Sequence, residues 1–232
     1  MRLGLLVCDH VRDQHLDEAG DYPDHFRALF AGHPEIELVA YDVINGEFPA
    51  DPNACDAWIT TGSRHSVNDD LEWIRDLEQF VRDAALAGVP FVGVCFGHQL
   101  LAKAMGGRVA NAESGWTVGS VSVETTDGSF RVMNMHHEQV SELPAGAEVL
   151  GWSDTCPVAV MSVGETMLGI QGHPEMTVPY NRALIELRRG GIIPDGTADR
   201  GLRSLDEPPD SGALADWIVS FISHSGRRKS HI

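Results

Sequence analysis

Val89-Pro-Phe-Val-Gly-Val-Cys-Phe-Gly-His-Gln-Leu-Leu-Ala-Lys-Ala-Met105 is the run from which the rest of the chain can be read. It begins with a short apolar segment, Phe91 to Val94, of the kind that forms a strand buried on both faces. It turns at Cys95 between Gly93 and Gly97, then continues with helical apolar spacing through Leu100, Leu101 and Ala104. Strand, sharp turn and helix with a nucleophile at the apex is the elbow geometry of hydrolases. Side chains in place of the two glycines would collide with the strained backbone around Cys95. A thiol at that apex sits at a helix N-terminus, where unpaired N–H groups and the helix dipole favour the thiolate. The same spacing also admits a buried structural cysteine between a strand and a helix.

Working outward, Leu3 to Cys8 reads as a first buried strand, and Ile36 to Tyr41 and Ala57 to Thr60 as further strands. Between them, Asp21 to Ala31 has helical spacing at Tyr22, Phe26, Leu29 and Phe30, closed by Gly32 and Pro34. Asp69 to Leu86 predicts a long amphipathic helix, with Asp69, Asp70 and Glu72 as charges at its start. Strands alternating with helices predict βαβ units, hence an α/β protein with a mostly parallel central sheet. Downstream, Glu113 to Thr126 alternates like a strand, and Glu148 to Trp152, Ala159 to Val163 and Met167 to Gln171 read as short antiparallel strands. Val178 to Arg189 and Leu214 to Ile222 read as helices, and Pro194 to Pro209 as a polar stretch with turn residues at both ends.

Two motifs carry a family resemblance. Gly93-Val-Cys-Phe-Gly-His-Gln99 resembles the G-x-C-x-G-x-Q nucleophile motif of class I glutamine amidotransferases, and Gly172-His-Pro-Glu175 resembles their second signature. The pair in this order is far more specific than either motif alone. The resemblance runs from the first strand to at least Glu175 and implies a flavodoxin-like, single-domain, three-layer fold with helices on both faces. That domain would occupy residues 1–225, with a helical extension from about residue 177 and a disordered tail over 226–232. The extension is similar to that of stand-alone members such as γ-glutamyl peptidases.

The resemblance implies a Cys95–His173–Glu175 triad. Cys95 would attack a glutamine side-chain carbonyl, His173 would shuttle the proton, and Glu175 would orient His173. Phe96 and Gly62 would supply oxyanion N–H groups, although Thr61 and Ser63 stand where the family usually shows a second glycine and a proline. Gln99 would shape the pocket, and Met135, His136 and His137, with Glu138, match the element that helps hold the glutamine α-amino and α-carboxylate groups. His136 stays open as an alternative base, since geometry decides that role. The adjacent histidines point to opposite faces of a strand and no cysteine or carboxylate cluster joins them, so no metal site is expected. The implied chemistry needs no cofactor.

Composition narrows the function classes. The chain has 232 residues, enough for one domain with a sizeable core. Its formal charge of −17 argues against nucleic acid and against an anionic membrane surface. No signal peptide or transmembrane run is read. The four cysteines Cys8, Cys55, Cys95 and Cys156 form no C-x-x-C pair, which fits a reducing compartment and a cytoplasmic location. No G-x-x-x-x-G-K motif is present, so ammonia released from glutamine would need a synthetase partner. Three readings follow: a glutaminase subunit serving an unknown acceptor, a free-standing hydrolase of γ-glutamyl small molecules, or a non-catalytic regulatory homologue. A fourth, an α/β cysteine hydrolase or chaperone sharing only the elbow, is disfavoured by Gln99 and the Gly-His-Pro-Glu element.

Overall fold

Four strands carry almost unbroken apolar sequence: β1 (Arg2–Leu6), β3 (Ala57–Thr60), β4 (Phe91–Val94) and β11 (Met167–Ile170). Such strands can only lie in the middle of a sheet covered on both sides. In the computed structural model, which describes residues 1–14, 16 and 20–227, they do. The others are β2 (Glu37–Tyr41), β5 (Arg108–Asn111), β6 (Thr117–Thr125), β7 (Gly128–His136), β8 (Glu138–Glu142), β9 (Ala147–Trp152) and β10 (Val160–Val163). The main sheet runs β2-β1-β3-β4-β11-β10-β9-β6-β7, and β5 pairs with β8 separately. Its first five strands are mutually parallel, and from β11 onward every pairing is antiparallel. The parallel half is the expected βαβ sheet; the antiparallel half widens it beyond β11.

Helices α1 (Tyr22–Leu29) and α6 (Ser211–Arg227) cover one face, packing Phe26, Leu214, Ile218 and Ile222 on Leu3, Leu5, Ile59, Val92 and Leu168. Helices α2 (Glu72–Leu86) and α3 (Phe96–Ala104) cover the other, with Ile74, Leu77, Phe96, Leu100 and Leu101 against Leu6, Trp58, Phe91 and Met167. Helices α4 (Val178–Arg188) and α5 (Asp195–Ser204) pack with Val118 and Met133 of β6 and β7 as a third cluster. Among the described residues, no helix is long and apolar enough to cross a membrane.

Small residues bring α3 close to the sheet. Gly93 and Gly169 are register partners on β4 and β11. A Cβ on Gly93 would overlap the Gly97 carbonyl, and one on Gly169 would overlap the His98 ring. A Cβ on Gly97 would overlap the Thr60 hydroxyl, whose oxygen accepts the Val94 N–H at 3.0 Å. Gly93→Ala therefore pushes backbone against backbone and is expected to cost about 3 kcal/mol or more. A urea midpoint within about 0.5 kcal/mol of wild type would show that the helix can withdraw.

Two details depart from the reading of the sequence. The helix expected from Asp69 begins at Glu72, because Leu71 is extended and the Asp69 carboxylate accepts the Ser66 N–H at 3.1 Å in a preceding turn. The polar stretch after Pro194, not itself read as a helix, contains α5, held by tertiary contact. Gly201 lies against Val118, and the Ser204 hydroxyl accepts the Ser120 N–H at 2.9 Å. The final helix extends to Arg227, so the basic run Arg227-Arg-Lys229 only begins within the described residues.

Candidate active site

Cys95 sits between β4 and α3 with φ 49° and ψ −98°. Among the described residues it is the one non-glycine with positive φ. Such a conformation costs about 1–3 kcal/mol and persists only where its surroundings impose it. Here Cys95 N–H donates to the Ile170 carbonyl at 2.8 Å, and the Cys95 carbonyl accepts the Gln99 N–H at 3.1 Å. The thiol is thereby held at the N-terminus of α3, 6% exposed. The structural-cysteine alternative explains no strain; the elbow does.

His173 arrives from the end of the neighbouring parallel strand. Just past β11, its N–H donates to the Met133 carbonyl at 2.7 Å, fixing the chain between β11 and β7. Its Nδ1 meets Glu175 Oε1 at 2.8 Å, and its ring lies close enough to the Cys95 thiol for the two to interact electrostatically. The Glu175 side chain is fully buried. Burial alone would depress the His173 pKa. The Cys95 charge, then that of Glu175, outweighs it and raises the pKa well above the ordinary value. The arrangement can hold a thiolate–imidazolium pair.

The loop after β3 has a divided job. A Cβ on Gly62 would stand 2.6 Å from His173 Cε1, so the loop can lie over the imidazole only with glycine here. The neighbouring Ser63 lines the cavity. Thr61 ties the loop down: its hydroxyl accepts the Cys8 N–H and donates to the Gly62 carbonyl, both at 2.8 Å. Among the described loop and cap residues neither Gly62 N–H nor Phe96 N–H donates to a backbone carbonyl, and Phe96 lines the cavity.

A residue not singled out from sequence completes the sulfur's surroundings. Gln171 Nε2 donates to Cys95 Sγ at 3.6 Å, and its Oε1 accepts from Gln99 Nε2 at 3.1 Å. Gln99 also donates to the Glu138 carbonyl at 2.7 Å. The structure thus brings Gln99 beneath Cys95 and links it to the His136–Glu138 segment. Met135, His136 and His137 all line the cavity with it, and His137 packs edge-on to Trp116 at 4.6 Å.

His136 is placed differently from His173. Its Nδ1–H donates to the Glu138 carbonyl at 3.0 Å, which leaves Nε2 as a buried acceptor with no partner among the described residues. Burial pushes its pKa down to about 3, so it is neutral at pH 7. His98, under α3, is pushed down to about 4, again chiefly by burial. A histidine whose folded pKa is depressed lends stability above its unfolded pKa of about 6.5, and that stability is lost as pH falls toward the folded value. Each should therefore cost about 2 kcal/mol between pH 7 and pH 5. Urea unfolding at the two pH values checks this. His98→Asn should remove about that much of the pH dependence, and an unaltered dependence would contradict it.

The cavity holding Cys95 and His173 has a volume of about 330 Å³. Its far wall comes from the loop after β1 and from α4, neither read from sequence as part of a site. Asp9 is buried and binds Arg64 through paired oxygens at 2.7–2.9 Å, joining the loops after β1 and β3. The hydroxyls of Tyr22 and Tyr180 hydrogen-bond to each other beside it.

With this geometry in view, comparison with known proteins is informative. The family model for "Glutamine amidotransferase class-I" matches residues 37–186, more than half of the chain. The chain belongs to the class I glutamine amidotransferase family. Within that family it is 28% identical to a glutamine amidotransferase-like protein of Schizosaccharomyces pombe over 95% of this chain and 98% of that protein. It is 31% identical to γ-glutamyl peptidase 4 of Arabidopsis thaliana over 81% of each. A crystal structure of a glutamine amidotransferase from Methylobacillus flagellatus superposes with a TM-score of 0.73 at 23% identity, covering 98% of this chain and 94% of that one. That likeness establishes the shared amidotransferase fold.

Proposed function

We propose that this chain hydrolyses the side-chain amide of γ-glutamyl compounds through a thioester on Cys95, acting as a free-standing enzyme. The observation that carries the reading is the strained Cys95 thiol in contact with His173, whose other nitrogen is held by buried Glu175. In the first step the Cys95 thiolate adds to the amide carbonyl, and the oxyanion accepts from Phe96 N–H and Gly62 N–H. As the C–N bond breaks, the His173 imidazolium gives its proton to the departing nitrogen. Water, losing a proton to His173, then cleaves the thioester to release glutamate and restore the thiol. Glu175 holds His173 in the tautomer and orientation both steps need.

Support for a γ-glutamyl peptide-type substrate comes from the likeness to γ-glutamyl peptidase 4 over 81% of both chains. Family membership also favours a second reading, in which the substrate is glutamine and ammonia passes to a partner synthetase. All four cysteines are buried and unpaired, in keeping with a reducing, cytoplasmic setting. Glutamate release from glutamine and from a panel of γ-glutamyl amides and peptides separates the two. Turnover of peptides at least tenfold above glutamine is expected. Turnover of glutamine alone would move the assignment to the ammonia-donating reading.

A further inference from the structure

The cavity wall opposite His136 carries charge that the reaction above does not use. Arg12, Arg64 and Arg188 all line it, in a chain whose formal charge is −17. Arg64 is neutralised by Asp9. Among the described residues neither Arg12 nor Arg188 has an acidic partner. Arg188 is half-buried, and among the described residues its guanidinium makes one hydrogen bond, to the Leu184 carbonyl at 3.5 Å. Burial, together with repulsion from Arg12 and Arg64, depresses its pKa. Arg12 is exposed and Arg188 is half-buried; a half-buried cation without an acidic partner is stabilised when an anion joins it in the cavity.

We propose that Arg12 and Arg188 form a carboxylate-binding subsite for the leaving-group half of a γ-glutamyl peptide. The inference rests on the reading that Cys95 cleaves γ-glutamyl amides, and it names which amides. His173 must reach the departing nitrogen, so the leaving amine lies on the His173 side of Cys95. That side continues through Glu175 into α4, where Tyr180, Leu184 and Arg188 share one face of the helix and all line the cavity. At 1.5 Å per residue, Arg188 lies about 12 Å along the helix from Tyr180. Ammonia, the leaving group of glutamine, carries no anionic group for a guanidinium to bind. An amino acid or dipeptide joined through its amine carries a carboxylate at its other end, which a guanidinium binds bidentately.

The test uses the full chain and two probes, γ-glutamyl-alanine and its C-terminal amide, which differ only in that carboxylate. Binding is measured by calorimetry on Cys95→Ala protein, and kcat/KM on protein with Cys95 intact. Both readouts should favour the acid by about tenfold to a hundredfold, the range for a charge-assisted hydrogen bond. In Arg188→Gln and Arg12→Gln the acid-to-amide ratio should fall toward one, and Arg188→Lys should recover part of it. A general loss of folding would lower both numbers without changing their ratio. Selective binding without turnover would uphold the subsite while refuting hydrolysis by Cys95. Turnover with no preference, a preference that survives both substitutions, or no binding of either probe at millimolar concentration would overturn the subsite.

Discussion

Cys95→Ala is expected to lower kcat on any γ-glutamyl donor by at least about 10⁴-fold, the scale of losing a covalent nucleophile. The variant should stay folded, because alanine keeps the backbone bonds to Ile170 and Gln99 that fix the elbow. It should also change His173. The charge on Cys95 is the largest influence raising that pKa, so its removal lets burial pull the imidazole back down. NMR titration of the His173 ring in wild type and variant reads this directly. Cys95→Gly adds a separate stability expectation. Positive φ costs glycine nothing, so this variant should be inactive yet more stable than Cys95→Ala by about 1 kcal/mol or more. Ala-variant turnover within tenfold of wild type would remove Cys95 from the mechanism. A Gly variant no more stable than the Ala variant would mean that the φ 49° conformation stores no strain.

The elbow was legible because backbone crowding leaves a sequence mark: Gly93 and Gly97 are where the β4 and α3 backbones meet side by side. The buried parallel strands were legible for a similar reason, since burial on both faces leaves no room for alternation. Helix α5 was not. Its sequence, Asp195-Gly-Thr-Ala-Asp-Arg-Gly-Leu-Arg-Ser204, holds two glycines and few apolar residues, so local preference speaks against it. What forms it is the approach of Gly201 to Val118 and of Ser204 to Ser120, which no local window contains. The Gly172-His-Pro-Glu175 motif pointed to His173, while the sequence left His136 open as an alternative base. Both have the right chemistry, and geometry puts His173 on the thiol while turning His136 Nδ1 to the Glu138 carbonyl. Gln171 and Arg188 are ordinary residues in ordinary elements. Gln171 acquires meaning from a 3.6 Å contact with Cys95, and Arg188 from a cavity that exists only after α4 has docked.

Glu175→Gln should lower kcat by about 10⁴-fold, the scale seen when the orienting acid of a hydrolase triad is neutralised. The carboxylate accepts from His173 Nδ1 at 2.8 Å, which leaves Nε2 free to take the thiol proton. An amide of the same shape can instead donate to Nδ1. That stabilises the opposite tautomer, with a proton already on Nε2 and no lone pair for the thiol. The charge loss adds to this. Glu175 is among the causes raising the His173 pKa, so its neutralisation lowers that pKa. If the working form is thiolate with imidazolium, the alkaline limb of kcat/KM belongs to deprotonation of His173 and should move to lower pH in the variant. The stability sign agrees. A histidine with a raised folded pKa adds stability that is fully present below its unfolded pKa of about 6.5 and is lost as pH rises through the folded value. Glu175→Gln should therefore lose more stability, relative to wild type, at pH 6 than at high alkaline pH. Glu175 is fully buried with Oε2 unpartnered, so the substitution exchanges one buried polar group for another of equal size. A small change in melting temperature beside a large fall in kcat would separate orientation of His173 from general support of the fold. A kcat within tenfold of wild type and an unmoved alkaline limb would together exclude Glu175 from that role.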